Sequence, residues 1–198
     1  NVLLIDLVGL VTHGWLDGAD LPAPTVENPL RIDFATVIPM RMQCLRRAAT
    51  RFMHAGIPAD HEAFALFCQE QNRWLDDYAL FMALSSTFEC GDWPAWPAEL
   101  AHREPAALAG ARNAHAEEIS FWKFCQWCYA SQWQRLKTYA NEHGVRVVGD
   151  MPIFVAHQSA DVWANPDLFE LDADGRSTVV AGVPPDYFSE TGQLWGNP

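Results

Sequence analysis

The feature that most constrains the fold is the junction at residues 144–150, where a long helical pattern meets a short apolar run. Apolar residues recur at helical spacing through residues 105–143, and Gly144 can adopt the left-handed conformation that ends a helix. The β-branched run Val145-Arg-Val-Val-Gly149 follows at once. A helix, a glycine stop and a buried-type strand in this order predict an α/β unit with a parallel strand. Asp150 comes directly after the run, and since the carboxyl ends of such strands carry active sites, it is a candidate functional residue.

The remainder of the chain predicts helices, loops and one hairpin. Helical periodicity covers residues 34–54, which Gly56-Ile57-Pro58 should end, and residues 60–84, which Asp60 should cap. Residues 1–10 form an apolar run of either helical or strand type, and residues 17–33 and 91–97 predict loops because of their Gly, Pro and Asp content. Residues 169–180 predict a β-hairpin that turns at Asp174-Gly175.

Charge and cysteine content exclude several classes of protein. The chain has 198 residues, with 13 Lys+Arg against 25 Asp+Glu and a formal net charge of −12. Such a surface repels phosphate backbones and anionic lipids, so we expect neither nucleic acid nor a membrane as a partner. No apolar run reaches the ~18–20 residues that span a bilayer. Five cysteines are an odd number without the density of a disulfide scaffold, which favours a reducing, cytoplasmic setting.

Two short motifs invite a metal interpretation that their surroundings do not favour. Cys125-Gln-Trp-Cys128 is a CxxC, but it lies inside a predicted helix without a second ligand pair, so a buried apolar pair is the better interpretation. Asp172-x-Asp174-Gly175 resembles the start of a calcium loop, but the later ligands are missing, which favours a hairpin turn. The sequence also has no HExxH, GxSxG, P-loop or GxGxxG motif. We therefore predict neither a metal nor a cofactor.

Aromatic residues are abundant, with 9 Trp, 11 Phe and 4 Tyr. Most of them should fill the core, but Tyr187, Phe188 and Trp195 lie among Gly and Pro, where no helix or strand face can bury them. Asp186 and Gln193 stand beside them and could hydrogen-bond hydroxyl groups while the rings stack on a sugar. A loop held to the protein by its own aromatic side chains is the alternative, and it stays open.

The last quarter of the chain carries a family resemblance. The run VRVVGDMPIFVAHQSADVWANPDLFELDADGRSTVVAGVPPDYFSETGQLWGNP, residues 145–198, closely resembles the 4-α-glucanotransferases called amylomaltases or disproportionating enzymes, glycoside hydrolase family 77. The segment VVAGVPPDYFS, followed by TGQ and WGNP, is the most specific part. Weaker agreement extends upstream through residues 74–84, 124–127 and 3–6. The resemblance thus covers essentially the whole chain.

The resemblance implies a fold and a reaction. The fold would be α/β, part of a (β/α)8 TIM barrel, with residues 34–143 mostly helical and including an inserted subdomain, and residues 144–198 forming a barrel strand and a substrate-covering loop. The reaction would transfer α-1,4-glucan units between malto-oligosaccharides, without a cofactor, by a retaining double displacement. Asp150 would correspond to the acid of the first region shared with α-amylases. The mobile loop that covers bound glucan would contain Asp186, Tyr187, Phe188, Gln193 and Trp195.

The same resemblance limits which roles can be assigned. The abrupt apolar start and the aromatic-rich end predict a piece of a longer polypeptide, and the family's nucleophile, acid/base and third acid would lie beyond Pro198. We therefore assign no catalytic residue, and expect the isolated piece to be inactive and marginally stable. Gln158 stands where relatives usually carry an acid. The alternatives are a non-catalytic carbohydrate-binding or interaction module of the same fold, or an unrelated structural α/β protein whose final loop packs inward.

Overall fold

The computed structural model describes residues 1–22 and 31–198, and helices dominate these residues. The α-helices are α1 Leu7–Thr12, α2 Phe34–Ala55, α3 Pro58–Glu70, α4 Asn72–Thr87, α5 Ala98–Ala101, α6 Pro105–Ala114, α7 Ala116–Glu142 and α8 Ala160–Ala164. Single 3-10 turns span Val2–Leu4, Gly18–Asp20, Trp93–Ala95 and Pro166–Leu168. Two strands, β1 Gly182–Val183 and β2 Gln193–Leu194, form an antiparallel pair.

The chain divides into two compact units. Unit 1 consists of Asn1–Asn72 and Ser120–Val148, and unit 2 of Arg73–Ile119 and Gly149–Pro198. Unit 1 contains α1, α2, α3 and most of α7, whereas unit 2 contains nearly all of α4, the shorter helices α5, α6 and α8, and both strands. The two units are built differently, as their cores show.

The core of unit 1 is a cluster of aromatic rings between helices. The Phe52 ring centroid lies 5.0 Å from that of Phe124 and 5.2 Å from those of Trp15 and Trp127. These tilted and edge-on contacts are the arrangements that aromatic pairs prefer. Because the side chains of α2 and α7 recur at helical spacing, one face of each helix reaches this cluster. These four rings are therefore core, as predicted for most of the aromatic residues, whereas Phe34, Trp133 and Tyr139 of the same unit are exposed.

The CxxC of α7 belongs to the same interior. Cys125 and Cys128 are buried, and neither forms a disulfide. Burial raises the pKa of the Cys128 thiol well above its usual value, and the neighbouring Cys125 acts in the same direction. This confirms the prediction of a buried apolar pair, since a redox or metal-binding cysteine requires a lowered thiol pKa and access.

The core of unit 2 contains little regular structure and several tryptophans. Three indole N–H groups donate to backbone carbonyls: Trp93 to His157 at 2.9 Å, Trp96 to Cys90 at 3.1 Å and Trp163 to Leu100 at 3.0 Å. All three tryptophans are at most 5% exposed. The carbonyls of Cys90 and His157 lie outside the helices and strands, so indoles satisfy backbone groups there, and the Trp163 indole adds a second donor to the Leu100 carbonyl of α5.

The predicted strand at residues 145–149 is not formed. In the described parts of the chain no strand pairs with this run, and Val148 is 91% exposed. A β-strand requires a neighbouring backbone to complete its hydrogen bonds, and here none is supplied. The described residues are therefore mostly helical, and β1, β2 and one isolated bridge between Leu171 and Ser177 make up their sheet structure.

Two predicted long helices are each broken once. The pattern over residues 60–84 corresponds to α3 and α4, which are separated at Gln71, and the pattern over residues 105–143 corresponds to α6 and α7, separated at His115. Asp60 is not an N-cap, because α3 already begins at Pro58, and proline suits the first helical position. The prediction for residues 34–54 is confirmed by α2, whose N-cap is Asp33.

The predicted turns are confirmed where the structure describes them. Gly144 ends the helical run with a φ of +75°. The hairpin at residues 169–180 turns as expected: the Asp172 Oδ1 atom accepts from the backbone N–H groups of Asp174 at 3.0 Å and Arg176 at 2.9 Å. Asp172 therefore shapes a turn, as the sequence favoured, and does not begin a calcium loop. Of the predicted loop at residues 17–33, residues 23–30 lie outside the described residues.

The described residues offer neither a helix that could span a membrane nor a cluster of metal ligands. None of the helices in ranges 1–22 and 31–198 is long and apolar enough to cross a membrane. The same ranges contain no group of three or more His, Cys, Asp or Glu side chains that could hold a metal ion. The candidate site must therefore be sought among aromatic and hydrogen-bonding side chains.

Candidate functional site

The candidate site is the loop of residues 181–198 in unit 2, which is closed at its base by β1 and β2. Gly182 faces Leu194 and Val183 faces Gln193 in the antiparallel register. Gly182 allows close approach, since a Cβ atom there would lie 2.8 Å from the Gln193 carbonyl oxygen. Below the strands, the Ala181 N–H donates to the Asn197 carbonyl at 2.8 Å. The two ends of the loop are thus held together by backbone hydrogen bonds.

The tip of this loop is shaped by Asp186. Its Oδ1 atom accepts from the backbone N–H groups of Phe188 at 2.9 Å and Ser189 at 2.8 Å, and its own N–H donates to the Ser189 carbonyl at 2.9 Å. The Ser189 hydroxyl donates to the Gly192 carbonyl at 2.7 Å, and Gly192 has a φ of +75°. Asp186 is therefore first a turn-forming residue, with one carboxylate oxygen committed to the backbone.

Tyr187 and Phe188 extend from this tip into solvent. Tyr187 is 95% exposed and Phe188 88% exposed, with ring centroids 5.5 Å apart and planes at 88°. Exposing two large rings on a hydrogen-bonded tip is unfavourable unless a ligand or another surface covers them. This arrangement contradicts the alternative in which the tip aromatics hold the loop to the protein.

Trp195 and Gln193 form a second part of the loop. The Trp195 indole N–H donates to the Gln193 Oε1 atom at 3.0 Å, and the indole ring contacts Phe154 edge-on at 5.8 Å between centroids. Trp195 is 49% exposed, so part of its ring is available to a ligand. The side-chain oxygen of Gln193 accepts this bond from the Trp195 indole, which leaves the side-chain amide N–H₂ as the group that can donate to a ligand.

The segment that follows Asp150 is attached to the base of the loop. The Asn197 side-chain amide donates to the Val155 carbonyl at 2.9 Å, and Phe154 contacts Trp195. Asp150 itself is exposed and lies four residues before Phe154 in the chain. Among the described residues no hydrogen bond or ion pair joins Asp150 to the loop, so the structure connects their segments and not the side chains. Gln158 is exposed too, with its Cβ atom beside Gly91.

One structural feature near the site was missed from the sequence. The imidazole of His157 stacks on the indole of Trp93, with centroids 5.4 Å apart, while the Trp93 N–H binds the His157 carbonyl. The His157 Nε2 atom lies 2.8 Å from the Gly175 carbonyl oxygen, which can only accept, so Nε2 carries the proton. A Cβ atom on Gly175 would lie 2.4 Å from the Trp93 ring. This clamp links the hairpin to the segment that follows Asp150.

Comparison with known proteins identifies the family of this loop and of the chain as a whole. The family model described as 4-alpha-glucanotransferase, glycoside hydrolase family 77, matches residues 1–198. The chain belongs to this family. It is 47% identical over 198 residues to the 4-alpha-glucanotransferase of Thermus thermophilus and 44% identical over 200 residues to that of Synechocystis sp.. Both alignments cover 100% of this chain and 39% of the relative.

A solved structure extends the comparison to the fold. An amylomaltase from Streptococcus agalactiae in complex with acarbose superimposes with a TM-score of 0.92 at 36% sequence identity. The match covers 100% of this chain and 40% of that protein. The chain therefore spans about two fifths of the length of the family 77 proteins that it matches, and its described fold is that of the corresponding part of an amylomaltase.

Proposed function

We propose that this chain forms the glucan-covering part of a 4-α-glucanotransferase, an enzyme that transfers α-1,4-glucan units between malto-oligosaccharides. The observation that carries the proposal is the pair of exposed rings, Tyr187 and Phe188, on a tip that Asp186 holds in shape. Family membership supports the reaction class, and the structural relative in complex with acarbose supports an oligosaccharide-like ligand.

The chemistry of the loop suits a neutral, polyhydroxylated ligand. The faces of Tyr187, Phe188 and Trp195 can stack on the apolar faces of sugar rings, and the Gln193 amide can donate to hydroxyl groups. A loop that covers the bound glucan also excludes water. This matters because water that reaches a glycosyl-enzyme intermediate converts transfer into hydrolysis. The loop thus favours sugar acceptors over water.

The catalytic pair is assigned to no residue of this chain. A retaining double displacement requires a nucleophilic carboxylate and an acid/base carboxyl about 5–5.5 Å apart. We place Asp150 at the base of the glucan site as a binding residue, in keeping with its position after the run at residues 145–149. No metal or cofactor enters the proposed reaction.

The proposal includes the barrel. Residues 145–149 would pair as a strand of a (β/α)8 barrel, with neighbouring strands from the part of the relatives' length that this chain does not span. The largely helical region of residues 34–143 would then include an inserted subdomain. None of the five cysteines forms a disulfide, which supports a reducing, cytoplasmic setting for the enzyme.

The test is disproportionation of maltotriose by the complete gene product. We expect longer maltodextrins together with glucose from the unaltered protein. The double variant Tyr187→Ala/Phe188→Ala should lose about tenfold or more in transfer kcat/KM, because two stacking rings are removed, while the hydrolysed fraction of the product rises. Tyr139→Ala is the matched control, since Tyr139 is 62% exposed but lies on α7 in unit 1, and it should leave both quantities unchanged.

Two results would contradict the proposal in different ways. Binding of maltoheptaose without any change in maltotriose chain lengths would identify a carbohydrate-binding module instead of an enzyme. Transfer that proceeds normally in the double variant, with an unchanged hydrolysed fraction, would leave the enzyme intact but remove the loop from its mechanism.

A further inference from the structure

Helix α2 carries a concentration of positive charge on an acidic chain. The chain has a net charge of −12, yet Phe34–Ala55 contains four arginines, one histidine and no Asp or Glu. A strongly acidic protein repels anions in general. Its composition makes α2 a candidate region of unit 1 for anion binding.

Three of these basic side chains lie in a row on one side of α2. Arg47, Arg51 and His54 are spaced at i, i+4 and i+7, which places them on the same helix face. Like charges at this spacing repel and destabilise a helix. The favourable interaction of a cation with the helix dipole is confined to the last turn, so it does not extend to Arg47 about two turns earlier. Helix stability alone does not account for the row.

A cavity of about 770 Å³ lies beside this row, within unit 1. Its polar lining includes Gln43 and Thr50 as well as the three side chains of this row. Its apolar lining includes Trp15, Pro39 and Met42. This volume is in the range of small-molecule sites, which combine an apolar wall with a few convergent polar groups. It exceeds what a bare phosphate ion needs, so the occupant has an organic part.

The contacts of these basic side chains with the rest of the protein show which of them can bind a ligand. Arg47 contacts the carboxylate of Asp20, the one acidic side chain among the described residues of the lining, through one of its two terminal nitrogens. Arg46 also lines the cavity, but its guanidinium lies 4.2 Å from the Phe121 ring centroid, so we do not count it. Within residues 1–22 and 31–198, Arg51 and His54 form no hydrogen bond or ion pair, and both are exposed.

We propose that this cavity binds a phosphate monoester of a small organic molecule. Arg51 would engage the phosphate through two N–H groups, a geometry that a guanidinium fork supplies and a lysine does not. His54 and the second terminal nitrogen of Arg47 add donors, and the wall formed by Trp15 and Met42 takes the organic part. A neutral glucan needs none of these charges, so this site is independent of the loop at residues 181–198 and of the proposed function.

The test is calorimetric titration of the complete gene product with glucose 6-phosphate, inorganic phosphate and glucose. We expect glucose 6-phosphate to bind with one-to-one stoichiometry, inorganic phosphate to bind more weakly, and glucose to leave the cavity empty. The double variant Arg51→Ala/His54→Ala should weaken glucose 6-phosphate binding about tenfold or more, because hydrogen bonds to a charged group are lost. Arg73→Ala removes an exposed arginine from α4 in unit 2 and should leave the affinity unchanged.

Several outcomes would overturn the assignment. They are the absence of glucose 6-phosphate binding, equal affinity in the double variant, and inorganic phosphate binding as tightly as the ester. Arg51→Gln, which keeps a polar side chain of similar length, should show most of the loss on its own and guards against misfolding of the double variant. Maltotriose disproportionation should be unaffected by these substitutions. A failure of that reaction in the unaltered protein would refute the proposed function without touching this one.

Discussion

Substitution of Gly175 by alanine should destabilise the protein for two separable reasons. Gly175 has a φ of +76°, and a Cβ atom there would lie 2.4 Å from the Trp93 ring. The left-handed conformation costs an L-residue about 1–2 kcal/mol. Insertion of a methyl group against a packed ring costs about 1–3 kcal/mol more. The indole cannot retreat freely, because Trp93 is 2% exposed and its N–H is bound to the His157 carbonyl. We therefore expect a loss of about 2–5 kcal/mol.

Gly144 provides the control that separates the two contributions. It has a φ of +75°, but nothing lies within 4 Å of a Cβ atom placed on it. Gly144→Ala should therefore cost about 1–2 kcal/mol, the conformational part alone. The assay is urea denaturation of the complete gene product, followed by tryptophan fluorescence, with the midpoints compared at equal slopes. If Gly175→Ala and Gly144→Ala cost the same, the contact between Gly175 and Trp93 is not tight and the reasoning fails.

Two further predictions concern a buried thiol and the loop tip. Because burial raises the pKa of the Cys128 thiol, the unfolded chain loses this proton at a lower pH than the folded one, so stability should fall as pH rises above the thiol's usual pKa. Cys128→Ala should make that decline shallower in urea titrations over the alkaline range, and an unchanged slope would show that this thiol is not responsible. Asp186→Ala should speed hydrogen exchange of the Phe188 and Ser189 amides by about fivefold, because each loses a hydrogen bond worth about 1 kcal/mol. Asp186→Asn keeps the acceptor and should exchange as the unaltered protein does; equal exchange in the alanine variant would remove Asp186 from its role in the tip.

The helices were predictable from sequence because their signal is local. The apolar spacing over residues 34–54 and its glycine stop define α2 almost to the residue. The interruptions at Gln71 and His115 were not predictable, because neither residue is a strong helix breaker and the apolar pattern continues through both. A helical pattern shows which face is buried, but not where a single residue leaves the helical conformation.

The strand predicted at residues 145–149 is not formed, and the reason is that strand formation is not a local property. Its β-branched composition is a local signal, but a strand forms only against a second backbone, and no such partner pairs with it in the described residues. The candidate loop was better predicted, since the aromatic residues of 187–188 occur where no periodic face could bury them. The clamp of Trp93, His157 and Gly175 was not predictable, because Trp93 and His157 are 64 residues apart in the chain.

The indole–carbonyl bonds of unit 2 change what a tryptophan is worth there. Trp93, Trp96 and Trp163 each donate an indole hydrogen bond to a backbone carbonyl that lies outside both strands. Phenylalanine would fill nearly the same volume but would remove the hydrogen bond to that carbonyl, which contributes about 0.5–1.5 kcal/mol. In this unit side-chain hydrogen bonds thus help to hold the irregular backbone in place. Tolerance to substitution at these tryptophan positions should therefore follow hydrogen-bonding capacity more closely than size.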